Sequence, residues 1–215
     1  MTRTSLAGRN LYLCTPDRPD LAEFVTACIE GGVDVVQLRD KNLDARPLLA
    51  RAALVRDVCQ AHGVPFVLND RPDLALEVGA DGVHVGQDDA PVALARRLLG
   101  PEAIVGLSTH GFDDLARAGG EDVTYLSAGP VEPTPTKPGR PGTGLDYVTQ
   151  ATARSTVPVF VTGGVTPERV PDLVAGGVRH FVVVRFLTQA RDPQAAAMAL
   201  RSSIDSALSN ALPPV

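Results

Sequence analysis

A short pattern of hydrophobic and polar positions recurs along the chain. Each copy has an amphipathic segment, one or two glycines, a charged residue and then a short run rich in Val. The four copies lead into residues 35–39, 82–86, 123–128 and 180–185. Glycine after a periodic apolar segment is typical of a helix C-terminus, and a short β-branched run is typical of a buried strand. The pattern therefore predicts four helix–strand units.

Four further strands are predicted between these units, and the segments that join them have helical periodicity. The strands cover residues 11–14, 65–68, 104–107 and 158–161, and a last helix is predicted at about 194–210. Short, continuous apolar strands are typical of a parallel sheet that is covered on both faces.

Eight β/α units in 215 residues indicate a single TIM (β/α)8 barrel that occupies residues 1–215. We expect residues 1–9 to be a short N-terminal extension and residues 211–215 to be a loose C-terminal tail. A doubly wound sheet is the structural alternative. It is disfavoured because the glycine-rich dinucleotide-binding motif GxGxxG is missing.

Composition refines this picture. The chain has 20 Gly and 18 Pro, yet 44% of its residues are hydrophobic, which indicates many sharp turns between well-buried elements. Aromatic residues make up 4% and Trp is absent, so we expect an aliphatic core of Val, Ala and Leu.

Charge and cysteine content narrow the class of ligand and the compartment. A net charge of -5 offers no counterion-release gain with a nucleic acid or an anionic membrane, so we predict neither partner. The three cysteines, Cys14, Cys28 and Cys59, fit reduced thiols better than disulfides or a zinc site. No signal peptide or long apolar run is apparent. We therefore expect a soluble cytoplasmic protein that binds small molecules, and we leave a homo-oligomer open.

Polar residues collect where the predicted strands end, the position at which TIM barrels carry their active sites. They include Gln37, Arg39, Lys41, Asn69, Asp70, His84, Asp89, Ser108, His110, Thr162 and Arg185. Period-two alternation places Gln37, Arg39 and Lys41 on one side of the chain.

The charges at these strand ends indicate two anion sites. Two carboxylates, Asp70 and Asp89, among the cations Arg39, Lys41 and Lys137 are typical of a magnesium–polyphosphate site. Bare backbone N–H groups in the glycine pair at residues 163–164 are typical of a phosphate site. Two anion sites imply two phosphorylated substrates.

Several motifs, in this order, resemble the thiamine-phosphate synthase family from about residue 11 to residue 190. They are LYL at 11–13, QLRDK at 37–41, ND at 69–70, HVGQDD at 84–89, GLS at 106–108, GP at 129–130 with TPTK at 134–137, and GGV at 163–165.

The resemblance implies a TIM barrel and a transferase activity. That activity joins 4-amino-2-methyl-5-(hydroxymethyl)pyrimidine diphosphate to 4-methyl-5-(2-phosphoethyl)thiazole and gives thiamine phosphate. Diphosphate is expected to leave first, which forms a pyrimidine-methyl cation that the thiazole nitrogen traps.

The resemblance also implies roles for individual residues. Asp70 and Asp89 would bind Mg²⁺, the expected cofactor. Four side chains would hold the diphosphate: Arg39, Lys41, Asn69 and Lys137. Gln37 and Ser108 would contact the aminopyrimidine or stabilise its charge. Thr134 and Thr136 would order a lid-like loop over the diphosphate, and the Gly164 N–H would bind the thiazole phosphate. The catalytic residues would be Arg39, Lys41, Ser108 and Lys137.

Four positions depart from the family pattern: Pro16, Glu132, Thr162 and Arg185. We expect Arg185, at the end of strand eight, to grip the thiazole phosphate in a bidentate manner. An acid near a diphosphate repels it, so we expect Glu132 either to face away or to pair with Arg140.

Other functions remain alternatives. A thiazole tautomerase-like enzyme of the same barrel family lacks the diphosphate cations and metal ligands that this chain has. A non-catalytic phosphate-binding barrel has no need of a pair of Mg²⁺-binding carboxylates. A sugar-phosphate isomerase needs a Glu or Lys base that stands apart from the diphosphate cluster, and none is clear in this sequence. His84 is left open as a core or a cleft residue, and we expect His110 and His180 to be structural.

Overall fold

A computed structural model describes residues 6, 8–133 and 141–211. Eight parallel strands follow one another in chain order and close into a barrel, because β8 pairs with β1. They are β1 Leu11–Thr15, β2 Val35–Leu38, β3 Phe66–Asn69, β4 Gly82–Val85, β5 Ile104–Thr109, β6 Tyr125–Ala128, β7 Val159–Thr162 and β8 His180–Val183. The predicted TIM barrel is confirmed, and a doubly wound sheet, which stays open, is excluded.

Helices connect the strands and cover the outside of the barrel. They are α1 Leu21–Glu30, α2 Ala45–His62, α3 Pro72–Val78, α4 Val92–Leu99, α5 Phe112–Ala118, α6 Gly144–Arg154, α7 Val170–Ala175, α8 Arg185–Thr188 and α9 Pro193–Ala211. Within the part of the chain that is described, no helix is both long and apolar enough to cross a bilayer.

The end of strand eight differs from the prediction. The strand stops at Val183, and Arg185 is the first residue of the short helix α8. The backbone leaves the extended region at Val184, where ψ is -86°. This turn directs Leu187 into the core, where it is fully buried.

The repeated helix–glycine–strand pattern has a clear local cause. Gly32 and Gly177 adopt φ values of 106° and 92°, which side chains disfavour. In both turns the residue after the glycines donates its backbone N–H to a carbonyl in the last turn of the preceding helix. Val33 donates to Cys28 O and Val178 to Leu173 O, each at 3.0 Å. These bonds satisfy carbonyls that the helix end leaves free, and the chain then enters the next strand.

The core has two layers, of which only the outer one matches the prediction of an aliphatic interior. Val, Leu and Ala fill the space between barrel and helices. Inside the barrel, however, Tyr12, Tyr125 and Phe160 pack with ring centroids 5.3 to 5.8 Å apart. Gly106 makes room for them, because a Cβ there would lie 2.1 Å from Tyr125 Cζ. These three rings form an aromatic interior, while other aromatics, among them Phe24, Phe66 and Phe181, pack in the outer layer.

The N-terminal end of the barrel is closed by Leu6 and tied by Asp34. Leu6, within the segment that we expected to be an extension, is 3% exposed and packs on the interior cluster. Both carboxylate oxygens of Asp34 accept backbone N–H groups, from Asn10 at 2.9 Å and Leu11 at 3.0 Å. Asp34 also pairs with Arg201 of α9. This end of the barrel serves stability, as is usual in the fold.

Candidate active site

A cleft of about 930 Å³ opens at the C-terminal ends of the strands. Every predicted site residue that the structure describes lines it: Gln37, Arg39, Lys41, Asn69, Asp70, Asp89, Ser108, Gly164 and Arg185. Residues separated by almost 150 positions thus meet in one place, because parallel strands all end at the same rim. Thr134, Thr136 and Lys137 lie outside the described residues.

The floor of the cleft consists of polar side chains on the last inward-facing strand positions. Gln37, Asn69, His84 and Ser108 are each 5 to 7% exposed. His84 Nε2 lies 2.9 Å from Ser108 Oγ. The question left open for His84 is therefore settled in favour of the cleft, where it lines the floor and is also hydrogen-bonded.

Asp70 owes its position to an unusual turn. Its φ is 62°, and the Arg71 N–H donates to Asn69 O at 2.8 Å, which closes a three-residue turn around it. Its own N–H donates to His84 O at 2.7 Å. A positive φ is uncommon outside glycine, although Asp tolerates it better than most residues. Such local strain is often found at functional sites, and here it aims a carboxylate into the cleft.

Asp70, Asp89 and Lys41 form a charged cluster at one side of the cleft. Lys41 Nζ lies 2.8 Å from Asp70 Oδ2 and 3.8 Å from Asp89 Oδ1. Asp89 Oδ2 also accepts the Gly86 N–H at 2.9 Å. A side chain at Gly86 would sit 2.6 Å from that oxygen, so glycine allows Asp89 to fold back over the loop.

The two carboxyl groups perturb each other. Burial raises the pKa of Asp70, and contact with Asp89 raises it further, while the hydrogen bond with Lys41 opposes both effects. Burial also disfavours the ionised form of Asp89, but hydrogen bonds with Asp70 and the Gly86 N–H outweigh it, and its pKa is lowered. Adjacent carboxylates of this kind repel, and a cation between them relieves the repulsion.

A glycine pair forms the opposite side of the cleft. Gly163 and Gly164 follow β7 with φ values of 93° and 75°. A Cβ at Gly163 would lie 2.5 Å from Pro130 Cβ, and one at Gly164 would lie 2.9 Å from Glu132 Oε2. The positive φ values disfavour a side chain at both positions, and at Gly163 the contact with Pro130 excludes one on steric grounds as well.

Glu132 pairs with a residue that sequence reasoning did not identify. It forms an ion pair with Arg169, which precedes α7. Arg140, the partner we expected as one alternative, lies outside the described residues. The pair matters for the cleft because Arg169 offsets the negative charge that Glu132 brings next to the glycine pair.

Arg185 lines the cleft from the start of α8, two residues after the end of β8 and not on the strand where we expected it. Its side chain is exposed, and among the described residues no carboxylate pairs with it. The guanidinium is thus available to an anionic ligand.

Some cleft residues were not predicted. Ser127 occupies the last inward position of β6, and Thr166 and Gln189 lie in the segments that follow β7 and β8. Inward alternation along the strand could have identified Ser127. Thr162, which was predicted at the end of β7, lines the cleft as well. His110, expected to be structural, also lines the cleft, and its Nδ1 lies 2.6 Å from Gly129 O.

A family model described as thiamine monophosphate synthase matches residues 11–187. The chain belongs to that family. It is 47% identical to the thiamine-phosphate synthase of Thermobifida fusca over 210 residues, which are 95% of this chain and 96% of that relative. It is 44% identical to the thiamine-phosphate synthase of Mycobacterium sp. (strain KMS) over 94% and 95% of the two chains.

A solved structure agrees. The thiamine phosphate pyrophosphorylase from Pyrococcus furiosus superposes with a TM-score of 0.84 at 28% identity, covering 93% of this chain and 97% of that one. The resemblance inferred from the motifs is therefore confirmed. So is the prediction that the chain is an enzyme, a transferase in thiamine phosphate synthesis.

Proposed function

We propose that the chain joins 4-amino-2-methyl-5-(hydroxymethyl)pyrimidine diphosphate to 4-methyl-5-(2-phosphoethyl)thiazole, with release of diphosphate. The observation that carries this proposal is the cluster of Lys41, Asp70 and Asp89 in the cleft, within a chain of this family. A site for a magnesium diphosphate needs both carboxylates and cations, and the cluster supplies both.

The residues at this side of the cleft assist departure of the leaving group. The bond between the pyrimidine methylene carbon and the diphosphate oxygen breaks, and both electrons stay with the oxygen. Arg39, Lys41 and Asn69 stabilise the negative charge that develops there. Lys137, Thr134 and Thr136 complete this side by the family resemblance. The resulting pyrimidine-methyl cation is attacked by the thiazole nitrogen, which forms the new C–N bond.

Mg²⁺ fits the residues that are present. Magnesium is usually held by one or two carboxylates together with waters and substrate phosphates, so Asp70 and Asp89 suffice as protein ligands. Among the described residues there is no cluster of three His, Cys, Asp or Glu side chains that could hold a metal ion. When bound, the ion supplies charge neutralisation at the leaving diphosphate.

The other side of the cleft suits the second substrate. The backbone N–H of Gly164 and the guanidinium of Arg185 are both donors to a phosphate. Arg169 reduces the repulsion from Glu132. Gln37 and Ser108, on the floor, orient the pyrimidine between the two anion sites, and this orientation lowers the entropic part of the barrier.

The tautomerase-like alternative and the simple phosphate-binding barrel are separated from this proposal by one experiment. The full chain is incubated with Mg²⁺ and the thiazole phosphate alone, with the pyrimidine diphosphate alone, and with both. Thiamine phosphate only when both are present supports the proposal. Rearrangement of the thiazole phosphate alone supports a tautomerase, and the absence of any reaction supports a binding barrel.

We place this reaction in the cytoplasm. The three cysteines are buried thiols and form no disulfide, which agrees with a reducing compartment.

A further inference from the structure

The proposed function leaves one charged residue of the QLRDK motif without a role. Asp40 stands between Arg39 and Lys41, the two cations assigned to the diphosphate, and it lines the same cleft. A carboxylate at this place repels a diphosphate, so its charge alone works against the proposed reaction. The contacts of Asp40 indicate a different task.

Both carboxylate oxygens of Asp40 accept backbone N–H groups. Oδ1 accepts the Asn42 N–H at 2.8 Å, and Oδ2 accepts the Asp17 N–H at 3.3 Å. The first bond runs from a side chain to the backbone two residues later and closes an Asx turn. The second bond joins this turn to the segment that follows β1. Both oxygens of Asp40 are thus engaged with the backbone of the protein itself.

The Asx turn lies in the part of the chain that carries the two cations. β2 ends at Leu38 and α2 begins at Ala45, so regular secondary structure does not fix the residues between them. The Arg39 N–H donates to Thr15 O at 2.8 Å, which extends the pairing of β1 with β2 by one residue. Beyond that point, the two hydrogen bonds to Asp40 hold the backbone.

A residue of α2 fixes the segment that donates to Asp40. Arg51 forms an ion pair with the side chain of Asp17 and also donates to Arg18 O. The side chains of Arg51 and Asp17 are 25% and 28% exposed, so solvent screens this pair only in part. Arg51 therefore keeps the Asp17 N–H in place opposite Asp40.

We infer that Asp40 is a positioning residue for the diphosphate site. It holds the backbone between β2 and α2 so that Arg39 and Lys41, on either side of it, both reach the cleft. The site needs an oxygen acceptor at residue 40 and does not need a negative charge there. This inference rests on the proposed function, because that function assigns both cations to the diphosphate.

Two substitutions separate the acceptor from the charge. Asp40→Asn keeps an oxygen for the Asn42 N–H and removes the negative charge, whereas Asp40→Ala removes both. If Asp40 acts through the turn, Asp40→Asn preserves the site and Asp40→Ala impairs it. If Asp40 acts through its charge, as a metal ligand or as a partner of the cations, the two variants are impaired equally.

The measurement is the binding of inorganic diphosphate to the full chain in the presence of Mg²⁺, by isothermal titration calorimetry. Asp40→Ala should raise the Kd roughly tenfold, which is the effect of about one lost hydrogen bond to a charged group. Asp40→Asn should stay within about twofold of the wild type, because Asn forms the same turn. The KM for the thiazole phosphate should change in neither variant, since its proposed site lies across the cleft.

Asp44→Ala is the matched control. Asp44 is an exposed carboxylate of the same segment, and its side chain forms no capping hydrogen bond with α2. This variant should bind diphosphate like the wild type. If Asp40→Ala does not fold, Asp40→Ser makes the same comparison, because a Ser hydroxyl forms this kind of turn more weakly. Its Kd should then exceed that of Asp40→Asn.

The inference and the proposed function fail in different ways. Equal Kd values for Asp40→Ala and the wild type, equal impairment of Asp40→Ala and Asp40→Asn, or no binding of diphosphate by the wild type would each overturn the positioning role. The proposed function depends instead on thiamine phosphate formation by the wild type. If that reaction is absent while Asp40→Ala alone weakens diphosphate binding, the positioning role holds and the proposed function fails.

Discussion

Replacement of Asp89 by Asn separates the chemistry of the charged cluster from the stability of the fold. The Asn side chain still offers an oxygen to the Gly86 N–H, which lies 2.9 Å from Asp89 Oδ2. Lys41 keeps its closer partner, Asp70, at 2.8 Å and loses only the contact at 3.8 Å. Because Lys41 is half exposed, that loss should change the free energy of unfolding by less than about 1 kcal/mol.

The effect on catalysis should be much larger. If Asp89 provides one of two carboxylate ligands for Mg²⁺, its removal weakens the charge stabilisation of the departing diphosphate by about 3 to 4 kcal/mol, which is a loss of roughly 10² to 10³ in kcat/KM. The Mg²⁺ concentration needed for half-maximal activity should also rise.

The assay is the initial rate of thiamine phosphate formation over a Mg²⁺ titration, together with urea unfolding of each variant. Asp88→Asn is the matched control, since Asp88 is the adjacent, exposed carboxylate of the same loop. It should behave like the wild type. Equal kcat/KM and equal Mg²⁺ dependence for Asp89→Asn and the wild type would remove Asp89 from the metal site.

Three further predictions concern other parts of the molecule. Asp34→Ala should lower the free energy of unfolding by about 2 to 4 kcal/mol in urea titrations, because two backbone N–H groups at the start of β1 lose their acceptor; a change below 1 kcal/mol would contradict this. Burial lowers the pKa of His180 below its usual 6.5, so the folded protein favours the neutral imidazole. This preference stabilises the fold above pH 6.5 and is lost as the pH falls below it. The difference between the urea midpoints at about pH 7.5 and about pH 5.5 should therefore be smaller in His180→Gln than in the wild type. Arg185→Ser should raise the KM for the thiazole phosphate roughly tenfold and leave that for the pyrimidine diphosphate unchanged; equal KM values for the thiazole phosphate would rule out the phosphate grip.

Most of the fold could be predicted because its determinants are local. The predicted strand at residues 65–68 is observed at Phe66–Asn69, and that at residues 158–161 is observed at Val159–Thr162. Alternation and glycine caps act over a few residues, so a single sequence contains them. Arg185 shows the limit, because the continuous apolar pattern before it extends past the point at which the backbone turns into α8.

The candidate site was predictable as a set of residues but not as a set of contacts. Motifs located the members of the cluster, whereas the hydrogen bond between His84 and Tyr125 spans 41 residues and depends on how the barrel closes. The pairing of Glu132 with Arg169 likewise joins the segments that follow two different strands, β6 and β7. The aromatic interior was missed for the same reason, since composition gives the number of aromatic residues and not their location.

The central claim is most directly tested by one ³¹P NMR time course with the full chain, Mg²⁺ and both proposed substrates. The account predicts that thiamine phosphate and diphosphate appear in equal amounts as the two substrates disappear, and that neither product forms when one substrate is omitted. Diphosphate release without thiamine phosphate, or no change in any signal, would contradict it.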